Sequence, residues 1–223
     1  MDTLFDNSSD MRSVRSGGKG PQNGPNEDPN DGPKSPLAAR LRPSQIAGFV
    51  GQQQLLAPGS ALATALELGR PHSMILYGPP GSGKTTLARI LAQRAASAYE
   101  ELSAVAAGRP EIRAVLERAQ HRRATSGQAT VLFLDEIHRF NKVQQDALLP
   151  AVEDGLLTLI GATTENPAFE VIGALLSRVR VYALEALAPA DIETILRRGA
   201  EELGADAAPE AIEFLASHSE GDA

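Results

Sequence analysis

Eight consecutive residues have the types and spacing that bind phosphate, following the pattern G-x-x-x-x-G-K-[ST]: Gly78, Pro79, Pro80, Gly81, Ser82, Gly83, Lys84 and Thr85. Their glycines allow a tight turn that directs several backbone N–H groups at one point. The ammonium group of Lys84 can neutralise the outer phosphates, and the hydroxyl of Thr85 can ligate Mg²⁺. The stretch therefore predicts a P-loop that binds ATP and Mg²⁺ as cofactors.

The segments on both sides of this loop are those that a P-loop requires. Residues 73–77 are apolar and predict a buried strand, and residues 86–92 predict a helix that begins with Thr86. The N-terminus of a helix favours anions, so we add Thr86 to the predicted binding residues. The alternative, a glycine-rich turn that matches the pattern by chance, does not explain the strand and the helix that flank it.

Two adjacent carboxylates, Asp135 and Glu136, end a second apolar stretch at residues 131–136. Burying two neighbouring charges costs free energy, which disfavours a purely structural role. We expect Asp135 to hold Mg²⁺ and Glu136 to act as the general base for water, because phosphoryl transfer needs both neutralised charge and an activated nucleophile. In the alternative, the carboxylates lie at the surface and cap the following helix.

Two further residues could contact the phosphoryl group that is transferred. Thr164 ends a predicted strand at residues 158–164 and could orient the attacking water, although threonine at a strand end is also an ordinary strand former. Arg178 could stabilise the charge of the transition state, either in its own subunit or in a neighbouring one. A solvated surface charge is the alternative for Arg178.

The composition restricts the class of protein. The 223 residues contain no cysteine, which excludes disulfides and cysteine–zinc sites and fits a reducing cytoplasm. No run of about eighteen apolar residues predicts a membrane span, and the N-terminus lacks the pattern of a signal peptide. The net charge of -7 excludes a general basic field, so any contact with DNA must depend on a local patch.

The order of predicted elements indicates an α/β fold. Residues 1–35 are rich in Gly, Pro, Asn, Asp and Ser and predict a disordered tail. Strands and helices alternate over residues 36–186, which predicts a parallel sheet with helices on both faces and the ligand at the carboxyl ends of the strands. Only helices follow, so residues 187–223 predict the start of a small helical lid domain. Besides the elements above, the predicted strands are 100–105 and 179–184, and the predicted helices are 60–68, 111–123, 144–153, 191–203 and one that begins at Pro209.

Together these motifs resemble the AAA+ ATPases of the clamp-loader group. The narrower resemblance is to the replication-associated recombination protein A family and its eukaryotic relative, the Werner-helicase-interacting protein. It rests on Ser177-Arg178 and on residues 36–40 (PLAAR), 51–56 (GQQQLL), 135–142 (DEIHRFNK) and 161–167 (GATTENP). The resemblance extends from Pro36 to the C-terminus and implies the P-loop NTPase fold of AAA+ proteins.

Several functional properties follow from the resemblance. It implies a homo-oligomeric, DNA-dependent ATPase of replication-fork maintenance that is associated with single-stranded DNA-binding protein. Thr164 corresponds to sensor 1 of the family. Arg178 corresponds to the arginine finger, which is given in trans to the next subunit.

The resemblance also assigns two groups of binding residues. The adenine pocket would contain Ile46, Val50 and Gly51. The surface that faces single-stranded or forked DNA would contain Arg109, Arg113 and Lys142. The chain departs from the family pattern where it stops, because the arginine of sensor 2 is expected next. We therefore expect a fragment that binds nucleotide, hydrolyses it poorly and is mostly monomeric, whereas the full-length protein forms a homo-oligomer.

Three functions are open from the sequence. The first is a DNA-stimulated ATPase of the cytoplasm, associated with the nucleoid, that acts at stalled forks in DNA replication, repair and recombination. The second is a Holliday-junction branch-migration motor, which has similar P-loop and carboxylate motifs. The third is a nucleotide-dependent adaptor of the sliding clamp whose hydrolysis is incidental. Leu4 and Phe5 resemble the short Leu-Phe peptides that dock on the bacterial clamp.

Overall fold

A computed structural model of the chain describes residues 35–222. Leu4 and Phe5, the predicted contacts with a sliding clamp, lie outside these residues, as does almost all of the predicted tail. The strands are β1 (Met74–Tyr77), β2 (Ala98–Ser103), β3 (Thr130–Asp135), β4 (Leu157–Thr163) and β5 (Arg180–Ala183). The helices are α1 (Leu37–Arg40), α2 (Ala61–Leu68), α3 (Lys84–Arg94), α4 (Arg109–Ser126), α5 (Lys142–Asp146), α6 (Leu149–Glu153), α7 (Pro167–Glu170), α8 (Gly173–Leu176), α9 (Pro189–Leu203) and α10 (Pro209–His218). None of the helices in the described range is long and apolar enough to cross a bilayer.

The five strands form one parallel sheet in the order β2-β3-β4-β1-β5. β1 leads into the P-loop and lies between β4 and β5. β3 leads to Asp135 and lies between β2 and β4. Because all strands run in the same direction, their carboxyl ends meet at one edge, where α/β proteins bind ligands. The predicted α/β fold is confirmed.

Side chains of the central strands alternate between two apolar cores, one on each face of the sheet. Met74 and Leu76 of β1 face the core that is shared with α2 and α3. Ile75 faces the core that is shared with α4, α6 and α8. Each such fully buried aliphatic side chain stabilises the fold by about 1.5–3 kcal/mol. The sheet is therefore a rigid support for the loops at its carboxyl edge.

Two of the differences between predicted and observed elements have a clear local cause. β2 ends at Ser103 rather than at residue 105, because the chain turns there and the N–H of Ala107 donates to the carbonyl oxygen of Ser103 at 2.8 Å. The helix predicted over residues 144–153 is divided into α5 and α6. Pro150 lacks an N–H group, and its ring would clash with the carbonyl oxygen of Asp146 in a continuous helix.

The two helices predicted for the lid are present as α9 and α10. Leu187, Ile192 and Ala216 form the buried contact at their base. Phe214 and Leu215, which are also on α10, are exposed. Residues 184–188 connect β5 to α9, so the predicted boundary of the lid at residue 187 falls within this connection.

Candidate nucleotide site

A cleft of about 670 Å³ opens between the P-loop, the segment that precedes α2, and the lid helices. Its floor is formed by the second half of the P-loop and the start of α3: Gly81, Ser82, Gly83, Lys84, Thr85 and Thr86. Phe49 and Val50 line one side of the cleft, and Ile195 and Arg198 of α9 line the other. The cleft lies at the carboxyl edge of the sheet, where a ligand is expected.

The path of the P-loop requires glycine at two positions. Gly83 has φ 96°, and a Cβ atom there would lie 2.8 Å from the ring of Phe49. Gly78 has φ 154°, and a Cβ atom there would lie 2.3 Å from the carbonyl oxygen of Leu184. Both distances are shorter than van der Waals contact, and both φ values disfavour other residues. The motif therefore fixes a backbone conformation that side chains would prevent.

The first half of the P-loop does not line the cleft, but its carbonyl oxygens hold side chains from the second half. The carbonyl oxygen of Pro79 accepts hydrogen bonds from the hydroxyl of Ser82 at 2.8 Å and from the ammonium group of Lys84 at 2.7 Å. Lys84 also donates to the carbonyl oxygen of Gly78 at 2.8 Å. Pro80 is exposed. These contacts hold the Lys84 side chain against the backbone of the P-loop.

The ammonium group of Lys84 lies near both carboxylates that were predicted to act with it. Burial lowers the pKa of Lys84, and the negative charges of Glu136 and Asp135 counteract this decrease. Lys84 begins the helix that follows β1, and the two carboxylates lie at the end of β3, which β4 separates from β1 in the sheet. The parallel topology thus brings one cation and two anions to the same edge.

The N-terminus of α3 supplies further groups for phosphate. α3 begins at Lys84 with Gly83 as its N-cap, and no side chain caps its first turn. Thr85 and Thr86 line the cleft at this turn. Uncapped N–H groups at a helix N-terminus favour phosphate. In the described part of the chain no three Asp, Glu or His groups converge on a metal position, so Mg²⁺ bound by Thr85 and Asp135 would need phosphate or water oxygens as further ligands.

Glu136 follows β3 in a left-handed conformation, with φ 54° and ψ 44°. This conformation is unfavourable for a residue with a side chain by about 1–2 kcal/mol. The N–H group of Glu136 donates to Oδ1 of Asp135 at 3.1 Å. Its Oε2 atom is buried and accepts no backbone hydrogen bond within the described residues; its partner there is Nδ1 of His138. A buried carboxylate oxygen of this kind fits a site that takes up a ligand or a water molecule.

Two residues to which the sequence assigned no role complete the cluster. The Nδ1 atom of His138 lies 2.9 Å from Oγ1 of Thr163 and 3.1 Å from Oε2 of Glu136. Thr163 is fully buried at the end of β4, and its hydroxyl accepts a hydrogen bond from the N–H group of Glu165 at 3.0 Å. The sequence carried a partial signal, because His138 lies two residues after Glu136 and Thr163 is the last residue but one of the strand predicted over residues 158–164.

Thr164 lies just beyond the strand that it was predicted to end. β4 ends at Thr163, and Thr164 is exposed one residue beyond it. Successive residues of an extended chain point in opposite directions. The hydroxyl that lies beside the carboxylate cluster is therefore that of Thr163, whereas that of Thr164 faces solvent.

The three residues predicted for the adenine pocket occupy three different places. Val50 lines the cleft. Ile46 instead packs against the core on the side of α2 and α3. Gly51 instead lies against the lid, where a Cβ atom would be 2.4 Å from the side chain of Leu187. Phe49, which the sequence did not indicate, lines the cleft beside Val50.

Arg178 lies outside the cleft of its own chain. It follows α8, and its side chain is 40% exposed. The guanidinium group pairs with Glu153 of α6 and donates to the carbonyl oxygen of Ala174 at 2.7 Å. This placement is compatible with an arginine that acts on a neighbouring subunit.

The residues predicted to face DNA are exposed on two helices. Arg109 and Arg113 lie on α4, and Lys142 is the first residue of α5. Arg113 pairs with Glu117 at 2.9 Å, and both side chains of this pair are well exposed. Within residues 35–222, Arg109 and Lys142 form no ion pair. Both helices begin at the carboxyl edge of the sheet.

Comparison with known proteins identifies the domain. Residues 41–172, which are more than half of the chain, match the family described as the Holliday junction DNA helicase RuvB P-loop domain. The chain belongs to this P-loop ATPase family. Among solved structures it is similar to the RuvB Holliday junction branch migration motor of Thermotoga maritima, with a TM-score of 0.68 and 31% identity over 82% of this chain and 61% of that chain.

Curated relatives give a narrower similarity. Replication-associated recombination protein A of Escherichia coli (strain K12) is 56% identical over 167 residues, which are 75% of this chain and 37% of that protein. The ATPase WRNIP1 of Dictyostelium discoideum is 46% identical over 167 residues, which are 75% of this chain and 19% of that protein. The predicted resemblance to the replication-associated recombination protein A family is confirmed. The chain spans less than half the length of both relatives.

Proposed function

We propose that this chain is the nucleotide-hydrolysing part of a DNA-dependent ATPase that acts at stalled replication forks in DNA replication, repair and recombination. The observation that carries the proposal is the convergence of Lys84, Asp135 and Glu136 at the carboxyl edge of the sheet. Such a set can neutralise phosphate, hold Mg²⁺ and activate water. The names of the relatives at 56% and 46% identity support the setting in replication and recombination.

The P-loop binds and orients the phosphates in this proposal. The N–H groups in the first turn of α3 face them, and the ammonium group of Lys84 exchanges the carbonyl oxygens of Gly78 and Pro79 for phosphate oxygens. Thr85 and Asp135 are the residues that would hold Mg²⁺, which when bound would supply charge neutralisation for the transferred phosphoryl group. Phe49 and Val50 cover one side of the cleft and restrict the entry of water.

Glu136 accepts a proton from the attacking water. Within residues 35–222 its buried Oε2 atom has Nδ1 of His138 as a partner at 3.1 Å and is otherwise available as an acceptor. His138, fixed by Thr163, keeps this carboxylate in one orientation. A positioned general base accelerates such a reaction by a factor of about 10²–10⁴.

The proposed partners follow from the resemblance and the exposed residues. The functional state is a homo-oligomer in which Arg178 contacts the nucleotide of the next subunit. Single-stranded or forked DNA contacts the cationic residues Arg109, Arg113 and Lys142. Single-stranded DNA-binding protein, and the sliding clamp through Leu4 and Phe5, are further proposed partners in the cytoplasm at the nucleoid.

Rates of ATP hydrolysis with different DNA structures test this function. We expect single-stranded or forked DNA to raise the rate above that with duplex DNA without ends. Glu136→Gln should lower the rate by a factor of about 10²–10⁴ with every DNA. The solved RuvB structures at 31% identity favour a second candidate, a branch-migration motor. Stimulation by a four-way junction above that by a fork would favour the motor. Hydrolysis that no DNA changes would favour the clamp adaptor.

A further inference from the structure

The side chain of Gln52 forms three hydrogen bonds that join the P-loop to residue 185, besides one that its Oε1 atom accepts from Nε2 of Gln54 at 3.3 Å. Its Nε2 atom donates to the carbonyl oxygen of Ser82 in the P-loop at 3.2 Å and to the carbonyl oxygen of Glu185 at 2.8 Å. Its Oε1 atom accepts from the N–H group of Glu185 at 3.0 Å. Gln52 is 5% exposed, so these bonds form away from bulk water. Breaking them would leave buried polar groups without partners.

Glu185 belongs to the connection between the sheet and the lid. This connection runs from residue 184 to residue 188, between β5 and α9. The amide group of Gln52 pairs with both backbone groups of Glu185, as a neighbouring strand would do. Gly51 makes the adjoining contact, because its backbone approaches Leu187 so closely that a Cβ atom would lie 2.4 Å from the leucine side chain.

The backbone at Gly51 and Gln52 adopts a left-handed conformation, which is unfavourable for Gln52. Gly51 has φ 77° and Gln52 has φ 56°, so two consecutive residues are left-handed. The second is not glycine, and such a conformation persists only where surrounding contacts fix it. Gln53 and Gln54 follow and are exposed. The left-handed turn therefore directs one glutamine of three inward, between the P-loop and the lid connection.

Other contacts fix the lid without contacting the P-loop. Arg198 of α9 donates to the carbonyl oxygen of Gly48 at 2.6 Å. Arg40 of α1 pairs with Glu202 of α9 at 3.2 Å. Within residues 35–222, Gln52 is the side chain whose hydrogen bonds reach both the P-loop and residues 184–188.

We propose that Gln52 is a positioning residue that couples the orientation of the lid to the conformation of the P-loop. The inference rests on the proposed nucleotide-binding function. Rotation of the lid moves the peptide of Glu185, and Gln52 transmits that movement to the Ser82 peptide. The carbonyl oxygen of Ser82 must point away from phosphate so that neighbouring N–H groups point towards it. Nucleotide in the P-loop thus selects one orientation of the lid.

The test measures the distance between the sheet domain and the lid by pulsed electron spin resonance. The chain has no cysteine, so Glu67→Cys on α2 and Glu201→Cys on α9 place two spin labels at exposed positions. The substitution is Gln52→Asn, which keeps the amide, is tolerated in the left-handed region and is too short by one methylene group. Gln53→Asn is the matched control, because the neighbouring glutamine is exposed and forms no side-chain hydrogen bond within the described residues. The nucleotide probe is Mg²⁺·ADP.

In the unsubstituted labelled chain we expect a narrow distance distribution that shifts when Mg²⁺·ADP is added. Gln52→Asn should broaden the distribution, remove the shift and raise the Kd for Mg²⁺·ADP about tenfold, as loss of one or two buried hydrogen bonds implies. Gln53→Asn should behave like the unsubstituted chain. A Gln52→Asn distribution that is as narrow and as responsive as that of the control would overturn the inference.

Failure to bind nucleotide and failure of the variant to fold are distinguishable from failure of the inference. If the unsubstituted chain does not bind Mg²⁺·ADP, the proposed function fails, and the width of the distribution without nucleotide still decides the role of Gln52. If Gln52→Asn does not fold by circular dichroism, Gln52→Glu replaces it. That variant keeps the length and the Oε1 acceptor and loses both Nε2 donors. Unchanged distances in Gln52→Glu would then overturn the inference.

Discussion

At the scale of single residues, the carboxylate of Glu136 depends on its neighbours for its orientation. The strand ends before it, and a left-handed turn at Glu136 directs its side chain away from the direction of β3. Nδ1 of His138 then lies between Oε2 of Glu136 and Oγ1 of Thr163, at 3.1 Å and 2.9 Å. The base and its positioning group thus follow β3, and the anchoring hydroxyl ends the neighbouring strand β4.

Replacing the base should separate binding from hydrolysis. Glu136→Gln keeps the size of the side chain and removes its ability to accept a proton, so we expect unchanged nucleotide affinity and a turnover that is lower by a factor of about 10²–10⁴. Lys84→Ala should instead weaken binding, because it removes a charge that contacts phosphate before and during the reaction. Equilibrium titration with nucleotide and phosphate release measure the two effects. Near-normal turnover in Glu136→Gln would refute its role as the base.

His138 should affect the rate through Glu136. His138→Asn removes the group between Thr163 and Glu136, and we expect kcat to fall about tenfold or more with little change in KM, since a small displacement of a reacting group is costly. Thr163→Val removes the anchor of His138 and should act on the same step. The double variant should then lose little more than either single variant.

The control for this prediction is His121→Asn, which changes an exposed histidine on α4. It should leave kcat and KM unaltered. Losses of His138→Asn and Thr163→Val that multiply in the double variant would show that the two residues act independently. In that case Thr163 would not work through the imidazole.

At the scale of elements, the sequence alone predicted the parts of the site whose residues are contiguous in the chain. The P-loop is one run of residues, and the apolar stretch before Asp135 identified β3 without further information. Gln52 could not be identified in this way, because its partners Ser82 and Glu185 lie 30 and 133 positions away in the chain. Phe49 likewise acquires its role only when the fold places it against the glycine backbone of the P-loop.

The sequence also did not distinguish two adjacent threonines. Thr163 and Thr164 have the same side chain, and a shift of one residue in the predicted end of β4 exchanges the buried position for the exposed one. Strand ends are decided by the neighbouring strands, and β1 pairs with β4 up to Thr163. That pairing is a property of the sheet, which local propensity does not contain.

An ion cluster joins α4 to the edge strand β2. Arg118 and Arg122 both donate to the carboxylate of Glu100, whose side chain is only 12% exposed. Burial would raise the pKa of Glu100, but its hydrogen bonds and attraction to Arg122 and Arg118 lower the pKa overall. The two arginines therefore serve the packing of α4 on the sheet, in contrast to Arg113, whose partner Glu117 lies on α4 itself.

The cluster predicts how stability depends on pH. Because the pKa of Glu100 is lower in the folded state, its stabilising effect is complete above the unfolded value, about 4.3, and is lost as the pH falls through the folded value. Glu100→Gln should therefore lower the free energy of unfolding by about 1 kcal/mol or more at pH 7. The difference from the unsubstituted chain should shrink steadily below about pH 4. Urea denaturation at several pH values measures it.

Glu117→Gln is the matched control on the same helix. Its partner Arg113 is 82% exposed, and surface ion pairs contribute at most about 1 kcal/mol. We expect a smaller loss of stability from this change than from Glu100→Gln. A Glu100→Gln difference that stays constant from pH 7 to pH 3 would contradict the assigned electrostatic origin.

At the scale of the whole molecule, one buried amide joins the cluster of Glu136 to the segment that carries Arg178. Gln145 is 1% exposed. Its Nε2 atom donates to the carbonyl oxygens of Phe140 and Glu170, both at 3.0 Å, and its Oε1 atom accepts from the N–H group of Ile172 at 2.9 Å. All polar atoms of this side chain are used, which makes the connection rigid. The backbone at Glu170 and Ile172, which leads to Arg178, is therefore held against the loop that follows Glu136.

The last prediction concerns the sharing of a site between subunits. Arg178→Ala should bind nucleotide and hydrolyse it at a rate lower by a factor of about 10³ or more, if the arginine stabilises the transition state. Mixing equal amounts of Arg178→Ala and Glu136→Gln should restore activity, because some interfaces then combine an intact base with an intact arginine. Random assembly of head-to-tail contacts places both in about one quarter of the interfaces. Steady-state hydrolysis measures the recovery, after sedimentation has shown that the two variants assemble together.

A double variant with both substitutions is the control, since its mixture with Arg178→Ala offers no intact arginine and should recover nothing. Co-assembled Arg178→Ala and Glu136→Gln that are no more active than either alone would exclude action in trans, and Arg178 would then serve only its ion pair with Glu153.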